Sequence, residues 1–500
     1  MTDLHETTTR RRALAIGPRT LISRTTTLTA LGAFGAAVLL VVAVWNARMV
    51  SRAADDPPGS PLAIPASATC PTAQNLYVAP DGKPDALGSP AQPMELRTAL
   101  SEKSPAKPCD TIWLRGGTYS GTFTTVISGT EGRPIVVRAS PGERVVIDSA
   151  SSAAPAITVR SSYLWLWGLE ILSSDPQRTS AEPVAWPTDL RRGTGVGVAE
   201  GTAVKLINLI IHDLARGIEI EAGAVATELY GNLIFHNGWD GPQASNGNGV
   251  ETQNQGPPQL IAENIIFNQY SHGLLALAAT PIKNLIVEGN VMFNNGSPGR
   301  DGFTRDILIG GGSTAGNLVV RDNATYGGAQ TFIGYGNGCA ASTITGNYFV
   351  GSTPLMLEKC SATVKGNILV GQYGFGPLPQ SHPDNSYVVS PPKGVIVKSR
   401  VNKYEPGRAH IVVYNWDKHS EVTIDLKQSG LNVGDDYEIR DAQNYVAGPV
   451  IEGKVTADTQ LTVSMVNLRS APLAGGRSVP HTSPEFGVFV VQKLGARGQS

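Results

Sequence analysis

The most regular pattern of apolar and polar positions is a short unit that recurs between residues 205 and 367. Each unit begins with a few residues that alternate between apolar and polar. A Gly, Glu, Asp or similar residue follows, then an Asn, and then three mostly apolar residues. This unit predicts two short strands that meet at a tight bend, where Asn tolerates the left-handed backbone conformation. The recurring residues, spaced 20 to 33 apart, are Asn208, Asn232, Asn264, Asn290, Asn323, Asn347 and Asn367.

A repeat of this length with strands and no helical pattern predicts a parallel β-helix, in which each coil buries its inward side chains by stacking on its neighbours. The Asn residues would then form a ladder along one edge. A β-sandwich of separate hairpins is the alternative, but it would not require Asn at one recurring place. Before the repeats, residues 94–103 carry apolar residues at helical spacing and predict a cap over the open end of the solenoid.

The pattern changes after a Pro-rich break at residues 376–393, which we interpret as a linker. The strands beyond it are longer and alternate regularly. Five or more such strands in about a hundred residues predict a β-sandwich over residues 394–494. Within it, we interpret Trp416 and Tyr445 as core packing or a structural corner rather than as a sugar platform.

The N-terminal region predicts a membrane anchor over residues 27–46, because eighteen consecutive residues there carry no charge. Five Arg precede this stretch and two follow closely, so residues 1–26 are predicted to be a cytoplasmic basic tail. The body would then lie outside the cell or in the periplasm. A cleaved signal peptide is the alternative. Residues 47–71, rich in Pro, Ala and Ser, predict a spacer.

Composition and charge narrow the classes of function. With 56 Gly, 34 Pro and 41% hydrophobic residues, the chain is too turn-rich for a helical bundle and too apolar for disorder. Residues 1–54 hold seven of the 40 bases and two of the 41 acids, which leaves 33 bases against 39 acids, a net charge of −6. The body therefore has no bulk attraction for nucleic acid.

The four Cys residues predict disulfides, because an even number follows an export-like N-terminus. Cys339 and Cys360 are 21 residues apart, about one coil, and would lie on stacked positions. Cys70 and Cys109 would then tie the start of the fold to its first strand.

Several segments support a family resemblance: residues 75–82 (NLYVAPDG), 93–100 (PMELRTAL), 109–119 (CDTIWLRGGTY) and the Gly-Asn repeats. They resemble the right-handed parallel β-helix proteins of the pectin-lyase-like superfamily, which implies that fold over residues 72–375. The superfamily includes polysaccharide lyases, glycoside hydrolases, epimerases and non-catalytic adhesins, so the resemblance does not define a reaction. Segments of the C-terminal region, VYNWDK and RDAQNY, resemble β-sandwich domains appended to glycoside hydrolases.

The resemblance implies a substrate groove along one parallel sheet, and alternation of side chains predicts which residues face it. We expect Ile218, Val250, Leu274, Ile307, Phe332 and Leu355 to point inward. The residues then expected to point outward are Glu219, Glu221, Glu251, Gln253, Tyr335 and Glu358.

Three of these residues, Glu219, Glu221 and Glu251, would form a carboxylate cluster, because neighbouring coils are about 4.8 Å apart. Crowding raises the pKa of one carboxyl, which can then act as an acid beside a basic or nucleophilic partner. Glycoside hydrolases use such a pair. The same cluster could instead bind Ca²⁺, as in metal-assisted uronate lyases, or be an exposed acidic strip without function. No other cofactor is predicted.

Two long loops reach the same face, at residues 236–249 and 296–306. Trp239 could stack on a sugar or cover the flank of the solenoid, and Asp240 could bind hydroxyls or a cation. Arg300 could pair with a uronate carboxylate or with an Asp. His272 lies in Ser-His-Gly, which partly resembles the Gly-His-Gly of polygalacturonases, and is a further candidate for substrate binding.

Together these features predict a membrane-anchored, extracytoplasmic protein whose partner is a polysaccharide or other glycan. It would be a glycoside hydrolase or a polysaccharide lyase. A non-catalytic glycan binder or adhesin is the alternative, because solenoids present rigid, extended surfaces. The sequence does not indicate an oligomeric state.

Overall fold

The computed structural model describes residue 70 and residues 73–184, 187–300, 304–371, 374–475 and 478–495. Both the predicted membrane span and the basic tail lie outside these ranges. Among the helices that are described, none has the length and apolar character needed to cross a membrane.

The first part of the described chain is the predicted parallel β-helix, whose successive coils contribute strands to three sheets of 12, 11 and 9 strands. Sheet I contains Asn75–Lys83, Thr111–Leu114, Ile135–Ala139, Leu164–Trp167, Lys205–Ile207, Glu228–Tyr230, Gln259–Ala262, Leu285–Glu288, Ala315–Gly316, Val319–Arg321, Cys339–Thr345 and Cys360–Lys365. Sheet II contains Gly117–Ser120, Val145–Asp148, Glu170–Leu172, Ile210–His212, Leu233–Phe235, Ile265–Phe267, Val291–Phe293, Ala324–Tyr326, Tyr348–Gly351, Ile368–Gly371 and Ser386–Val388. Sheet III contains Phe123–Thr125, Ile157–Arg160, Thr194–Thr202, Arg216–Val225, Val250–Thr252, Leu274–Ala278, Arg305–Gly311, Gln330–Gly336 and Met356–Leu357.

The core is a set of apolar columns inside the coils. Because the strands are parallel and in register, each inward side chain stacks on the equivalent residue of the next coil. On sheet III, Ile218, Val250 and Leu274 are directly paired neighbours and are fully buried. The inward positions predicted for them and for Ile307 and Leu355 are confirmed.

The Asn ladder lies at the corner between sheets I and II, fully buried over most of its length. Each side-chain amide donates to the carbonyl oxygen of the next Asn, for example from Asn264 to Asn290 at 2.9 Å. The same amide also donates to a backbone carbonyl, that of Leu229 for Asn264. The ladder runs through Asn232, Asn264, Asn290, Asn323, Asn347 and Asn367 to Asn385.

The left-handed residue at this corner precedes the ladder Asn, which corrects the expectation that Asn itself adopts this conformation. Gly231 and Glu263 have φ values of 70° and 56°, and Asn232 and Asn264 follow them. Asn208 has a φ of 52° and pairs in register with the position of Gly231. Asn208 is therefore the left-handed residue of its own corner, and Leu209 occupies the ladder position, where its N–H donates to Asn232.

Stacked aromatic rings cover the outer surface of sheet II. Phe235, Phe267 and Phe293 lie nearly parallel, with centroids 5.1 and 4.8 Å apart. The next ring against Phe293 is Phe486, which belongs to the C-terminal domain. Phe486 meets Phe293 edge-on, at 5.1 Å between centroids, so the row of aromatic contacts continues from the solenoid into that domain.

The C-terminal domain consists of two antiparallel sheets. The larger contains Val395–Val401, Arg408–Asn415, Asp436–Asp441, Ile451–Lys454 and Phe486–Lys493, and the smaller contains Glu421–Asp425 and Gln460–Ser464. Short 3₁₀ segments lie at Leu426–Ser429 and Ala442–Ala447. Ile411 and Val463, from different sheets, share one core, as the predicted β-sandwich requires.

The domain packs against the corner that carries the Asn ladder. Arg400 forms an ion pair with Glu263, and Asn402 donates to Asn208 at 2.7 Å. The hydroxyl of Tyr414 donates to the carbonyl of Thr325. Trp416 and Tyr445 are both buried, which agrees with a packing role for these two rings.

The ends of the solenoid differ in detail from the sequence expectation. The helix predicted over residues 94–103 is a single turn, Leu96–Ala99, whose apolar residues join the core. At the other end, the predicted linker contains the helical turn Leu378–Ser381 and a strand that pairs with sheet II. Both disulfides are present, Cys70–Cys109 and Cys339–Cys360, and the latter joins paired positions of neighbouring coils.

We predict that Asn264→Ala lowers the free energy of unfolding by about 3 kcal/mol, because it leaves buried donors of Asn232 and buried acceptors without partners. Denaturant unfolding measures the change. The control is Asn432→Ala, at an exposed position of the C-terminal domain, with an expected change below about 0.5 kcal/mol. Equal effects of the two substitutions would contradict a special role for the ladder.

Candidate functional site

The candidate site is the outward face of sheet III. Glu219 and Glu251 are directly paired on neighbouring strands, and both side chains are half-buried. The structure therefore brings these two carboxylates together, in the register that the sequence predicts. Glu221 lies on the same strand two residues later and is exposed to solvent.

Polar groups surround the two carboxylates. The Nε of Arg216 donates to Glu251 at 2.9 Å, and the side-chain amide of Asn248 donates to the same oxygen at 3.1 Å. The hydroxyl of Thr194 donates to Glu219 at 3.3 Å. Each carboxylate thus has its own partners, and the guanidinium lies on the Glu251 side.

Burial is the largest influence on Glu219 and raises the pKa of its carboxyl above the usual range. The positive charge of Arg216 opposes this shift, whereas the negative charges of Glu251 and Glu221 add to it. A carboxyl with a raised pKa keeps its proton to higher pH and can donate it to a bound molecule.

Sequence reasoning missed Arg216. Strict alternation places residue 216 on the same side as Ile218 and Ile220, which are buried in the core. Arg216 is the first residue of its strand, however, and its side chain reaches Glu251. A long cation at a strand end, three residues before an outward Glu, is the signal that could have identified it.

The floor of this face becomes apolar beyond Glu251. In order of pairing, the next outward residues are Leu275, Leu308, Phe332 and Met356. Phe332 was expected to point inward, but Ile333 is the buried core residue and Phe332 pairs with outward Leu308. The pairing of Arg305–Gly311 with Gln330–Gly336 shifts register between Ile309 and Gly310. Tyr335 remains outward, and 44% of its surface is exposed.

Trp239, in the first loop, is buried. Only 1% of its surface is exposed, and it packs with Leu190 and Ala215, so it covers the flank of the solenoid rather than offering a ring face to a sugar. Asp240 follows it and accepts a hydrogen bond from Ser245 at 2.6 Å. These residues form a small hairpin, Trp239–Asp240 paired with Ser245–Asn246.

Arg300 comes from the second loop and joins the two loops together. Its Nε lies 3.4 Å from Asp240, and its backbone N–H donates to the hydroxyl of Ser245. The pairing of Arg with Asp is therefore between loops rather than within one. More than half of the Arg300 side chain stays exposed.

His272 lies at the same edge as Asn248 and accepts a hydrogen bond at Nδ1 from the backbone N–H of Arg305. Burial, together with the charge of Arg305, lowers the pKa of His272 to about 4, so the ring is neutral at pH 7. Gln253 is exposed on the outward side, and Glu358 accepts from the backbone N–H of Gly336.

The donor set does not fit a calcium site. Ca²⁺ binds six to eight oxygen ligands, but the Glu251 carboxylate faces the guanidinium of Arg216. Across the described ranges, no group of three or more His, Cys, Asp and Glu residues is placed to hold a metal ion. No step at this face is therefore assigned to a metal.

His212 is the last residue of the strand Ile210–His212 in sheet II and belongs to a buried chain of charges. Its ring contacts Asp213 at 2.7 Å and Glu170 at 3.2 Å, and Asp213 pairs in turn with Arg178. Burial opposes protonation, but the two carboxylates raise the pKa of His212 to about 9. Burial lowers the pKa of His236 to about 3, although the charge of Asp213 opposes this shift.

Comparisons with known proteins add to this geometry. Pectate lyase PEL9 of Emericella nidulans is 42% identical over 79 residues, which are 15% of this chain and 18% of that protein. The uncharacterized protein YwoF of Bacillus subtilis is 38% identical over 78 residues, 16% of each chain. The chain thus spans about a sixth of the length of these curated relatives.

Among solved structures, the crystal structure of pectate lyase Pel9A aligns with a TM-score of 0.43 at 21% identity, over 63% of this chain and 77% of that one. The GH136 lacto-N-biosidase from Eubacterium ramulus aligns with a TM-score of 0.41 at 13% identity, over 63% and 68%.

A family model described as the Pel9A-like, right handed beta helix region matches residues 76–331. That range is just over half of the chain and contains the Asn ladder from Asn232 to Asn323, Glu219 and Glu251. The chain belongs to the Pel9A-like right-handed β-helix family.

Proposed function

We propose that the chain is an enzyme that cleaves glycosidic bonds in a polysaccharide bound along the outward face of sheet III. The observation that carries this proposal is the pair of carboxyls on neighbouring strands: Glu219, whose pKa is raised by burial, beside Glu251, which is paired with Arg216. The printed name of the relative in Emericella nidulans, a pectate lyase, supports a polysaccharide as the substrate class.

In the proposed reaction, Glu219 donates its proton to the glycosidic oxygen as the bond from that oxygen to the anomeric carbon breaks. The Glu251 carboxylate attacks the anomeric carbon and forms a glycosyl ester. Glu219, now deprotonated, then takes a proton from the water that hydrolyses the ester. Neighbouring strands are about 4.8 Å apart, which favours this double displacement over an inverting reaction that needs carboxyls about 6.5–9.5 Å apart.

Arg216 orients the Glu251 carboxylate through its 2.9 Å hydrogen bond, and Asn248 holds the same oxygen. The hydroxyl of Thr194 orients Glu219. Farther along the face, Tyr335 and the apolar floor offer surfaces for the C–H faces of sugar rings, and Arg300 offers an exposed cation for an acidic substituent.

We further propose that residues 27–46 anchor the protein in the membrane with its N-terminus in the cytoplasm. The charge-free stretch and the preceding arginines support this topology. Two disulfides in the body support an oxidising compartment outside the cytoplasm.

We predict that Glu219→Gln and Glu251→Gln each lower kcat at least about 100-fold, because each removes a group that reacts in the transition state. The full-length protein is assayed on polygalacturonate, alginate and xylan, with and without added Ca²⁺, for reducing ends and for ultraviolet-absorbing unsaturated products. Glu421→Gln, at an exposed position of the C-terminal domain, is the control and should stay within about twofold.

The outcomes of that assay differ for each class of protein. Reducing ends without unsaturated product support the proposed hydrolysis. Unsaturated product identifies a lyase and overturns the acid role of Glu219, and retention of a glycan without any product identifies a binder. Full activity of the Glu251→Gln variant would rule out Glu251 as the nucleophile.

We also predict opposite shifts in the pH profile of kcat/KM. Activity should fall as pH rises through the pKa of Glu219, because the proton donor is lost. Glu221→Gln removes a negative charge that raises the pKa of Glu219, so the high-pH limb of the profile should move to lower pH. Arg216→Gln removes a positive charge that lowers this pKa, so the same limb should move to higher pH. Shifts in the same direction would contradict this assignment of the limb.

For the membrane anchor, we expect the full-length protein to sediment with membranes and to require detergent for release. A variant that carries two Asp residues in the anchor, Ala36→Asp and Val41→Asp, should become soluble, because a charge at the bilayer centre costs about 2.5–3.5 kcal/mol. Release of the unmodified protein by carbonate alone would contradict the anchor.

A further inference from the structure

The position of the Arg216 guanidinium decides how the carboxyl pair on sheet III is held. Arg216 is the first residue of its strand and is buried, and its Nε donates to Glu251 at 2.9 Å. A long arginine side chain loses much rotamer freedom when it is fixed in one place. Its position therefore depends on the groups that pack against its stem and guanidinium as well as on this hydrogen bond.

Trp239 packs against this guanidinium. The Cζ atom of Arg216 lies over the indole ring, 5.8 Å from its centroid. Within about 6 Å the negative face of an indole attracts a cation, and the attraction is stronger where water is excluded, as it is at the buried Trp239. The indole N–H has no acceptor among the described residues, so Trp239 contributes through its ring rather than through its N–H.

The indole ring is itself fixed by the residues around it. Leu190 and Ala215 pack against Trp239 in a small apolar cluster. Leu190 belongs to the long connection between the strands Glu170–Leu172 and Thr194–Thr202. The ring therefore lies between that connection and the start of the strand that carries the guanidinium.

Arg178, from the same connection, fixes the backbone on both sides of Trp239. Its Nη1 donates to the carbonyl oxygen of Gly238 at 2.9 Å, and its own carbonyl oxygen accepts from the N–H of Asp240 at 2.9 Å. The Nε of Arg178 donates to the carbonyl oxygen of Ala474, in the C-terminal domain, at 2.7 Å. The ring cannot move away from its cation without breaking these buried hydrogen bonds.

We propose that Trp239 is a positioning residue for the carboxyl pair, because its ring holds the guanidinium of Arg216 against Glu251. Its importance for cleavage rests on the proposed function. The contact itself does not, because its effect on the carboxyls can be measured without a substrate.

The protonation of Glu219 reports on where the guanidinium lies. Burial raises the pKa of Glu219, Arg216 lowers it, Glu251 and Glu221 raise it, and the hydrogen bond from Thr194 lowers it. Arg216 is the cation in this set. A guanidinium that is no longer held beside the pair lowers the pKa less, so loss of the indole ring should raise the pKa of Glu219.

The test is a pH titration by ¹³C NMR of the full-length protein in detergent, labelled at the side-chain carboxyls of Glu, with Glu219→Gln to assign the resonance. Trp239→Met fills much of the space without a ring, and we expect it to raise the pKa of Glu219 by about 0.5, in the direction of Arg216→Gln. Trp239→Phe keeps a ring face for the cation and should leave the pKa within about 0.2 of its original value.

A double variant separates positioning from a general loss of packing. In the Arg216→Gln background the ring has no cation to hold, so the addition of Trp239→Met should cause no further rise. The matched control is Trp165→Met, which removes an indole ring that lies 4.8 Å from the Nζ of Lys205 on sheet I. This control should leave the pKa of Glu219 unchanged.

Thermal unfolding verifies that each variant is folded. If Trp239→Met is not, Leu190→Ala takes its place, because it removes only a contact behind the ring, and a smaller rise is expected. An unchanged or lowered pKa of Glu219, or an equal rise in the Arg216→Gln background, would overturn the proposal. A protein that shows the expected shifts but cleaves no polysaccharide would contradict the proposed function and still support the positioning role of Trp239.

Discussion

The whole molecule depends on the register between coils. At each corner between sheets I and II the chain bends within about two residues, and the side-chain amide of the ladder Asn accepts from one coil and donates to another. Asn264, for example, is linked to Asn232, Asn290 and the carbonyl of Leu229. Because these groups are fully buried, a slip of one residue would leave several of them unpaired, so the ladder keeps the stacked strands in register.

The candidate site follows from that register. Glu219 and Glu251 belong to coils 32 residues apart in the chain, yet they are directly paired because Ile218 stacks on Val250 beneath them. Burial raises the pKa of Glu219, Arg216 limits the rise, and the nearby charge of Glu251 adds to it. The same geometry that stabilises the core therefore places two carboxyls where one can hold a proton beside the other.

The C-terminal domain binds to residues that form the corners of the solenoid. Asn208, which carries the left-handed conformation at its corner, accepts a hydrogen bond from Asn402, and Glu263, at the equivalent place two coils later, pairs with Arg400. The left-handed polar residues at the corners of the solenoid therefore also form hydrogen bonds and ion pairs across the domain interface. A cleft of about 430 Å³, lined by Arg138 and Arg408 among other residues, lies between the solenoid and this domain.

The sequence by itself determined the all-β class, the coil length, the two disulfides and the outward positions of Glu219 and Glu251, because stacked coils repeat the same local pattern and alternation needs no knowledge of distant contacts. It did not determine which residue at a corner turns left-handed, that Phe332 faces outward, or that Trp239 is buried, since a register shift and neighbouring loops decide these. Arg216 and the cleft at Arg138 also required the tertiary structure. Their partners lie on other coils or in the other domain, and only folding sets those distances.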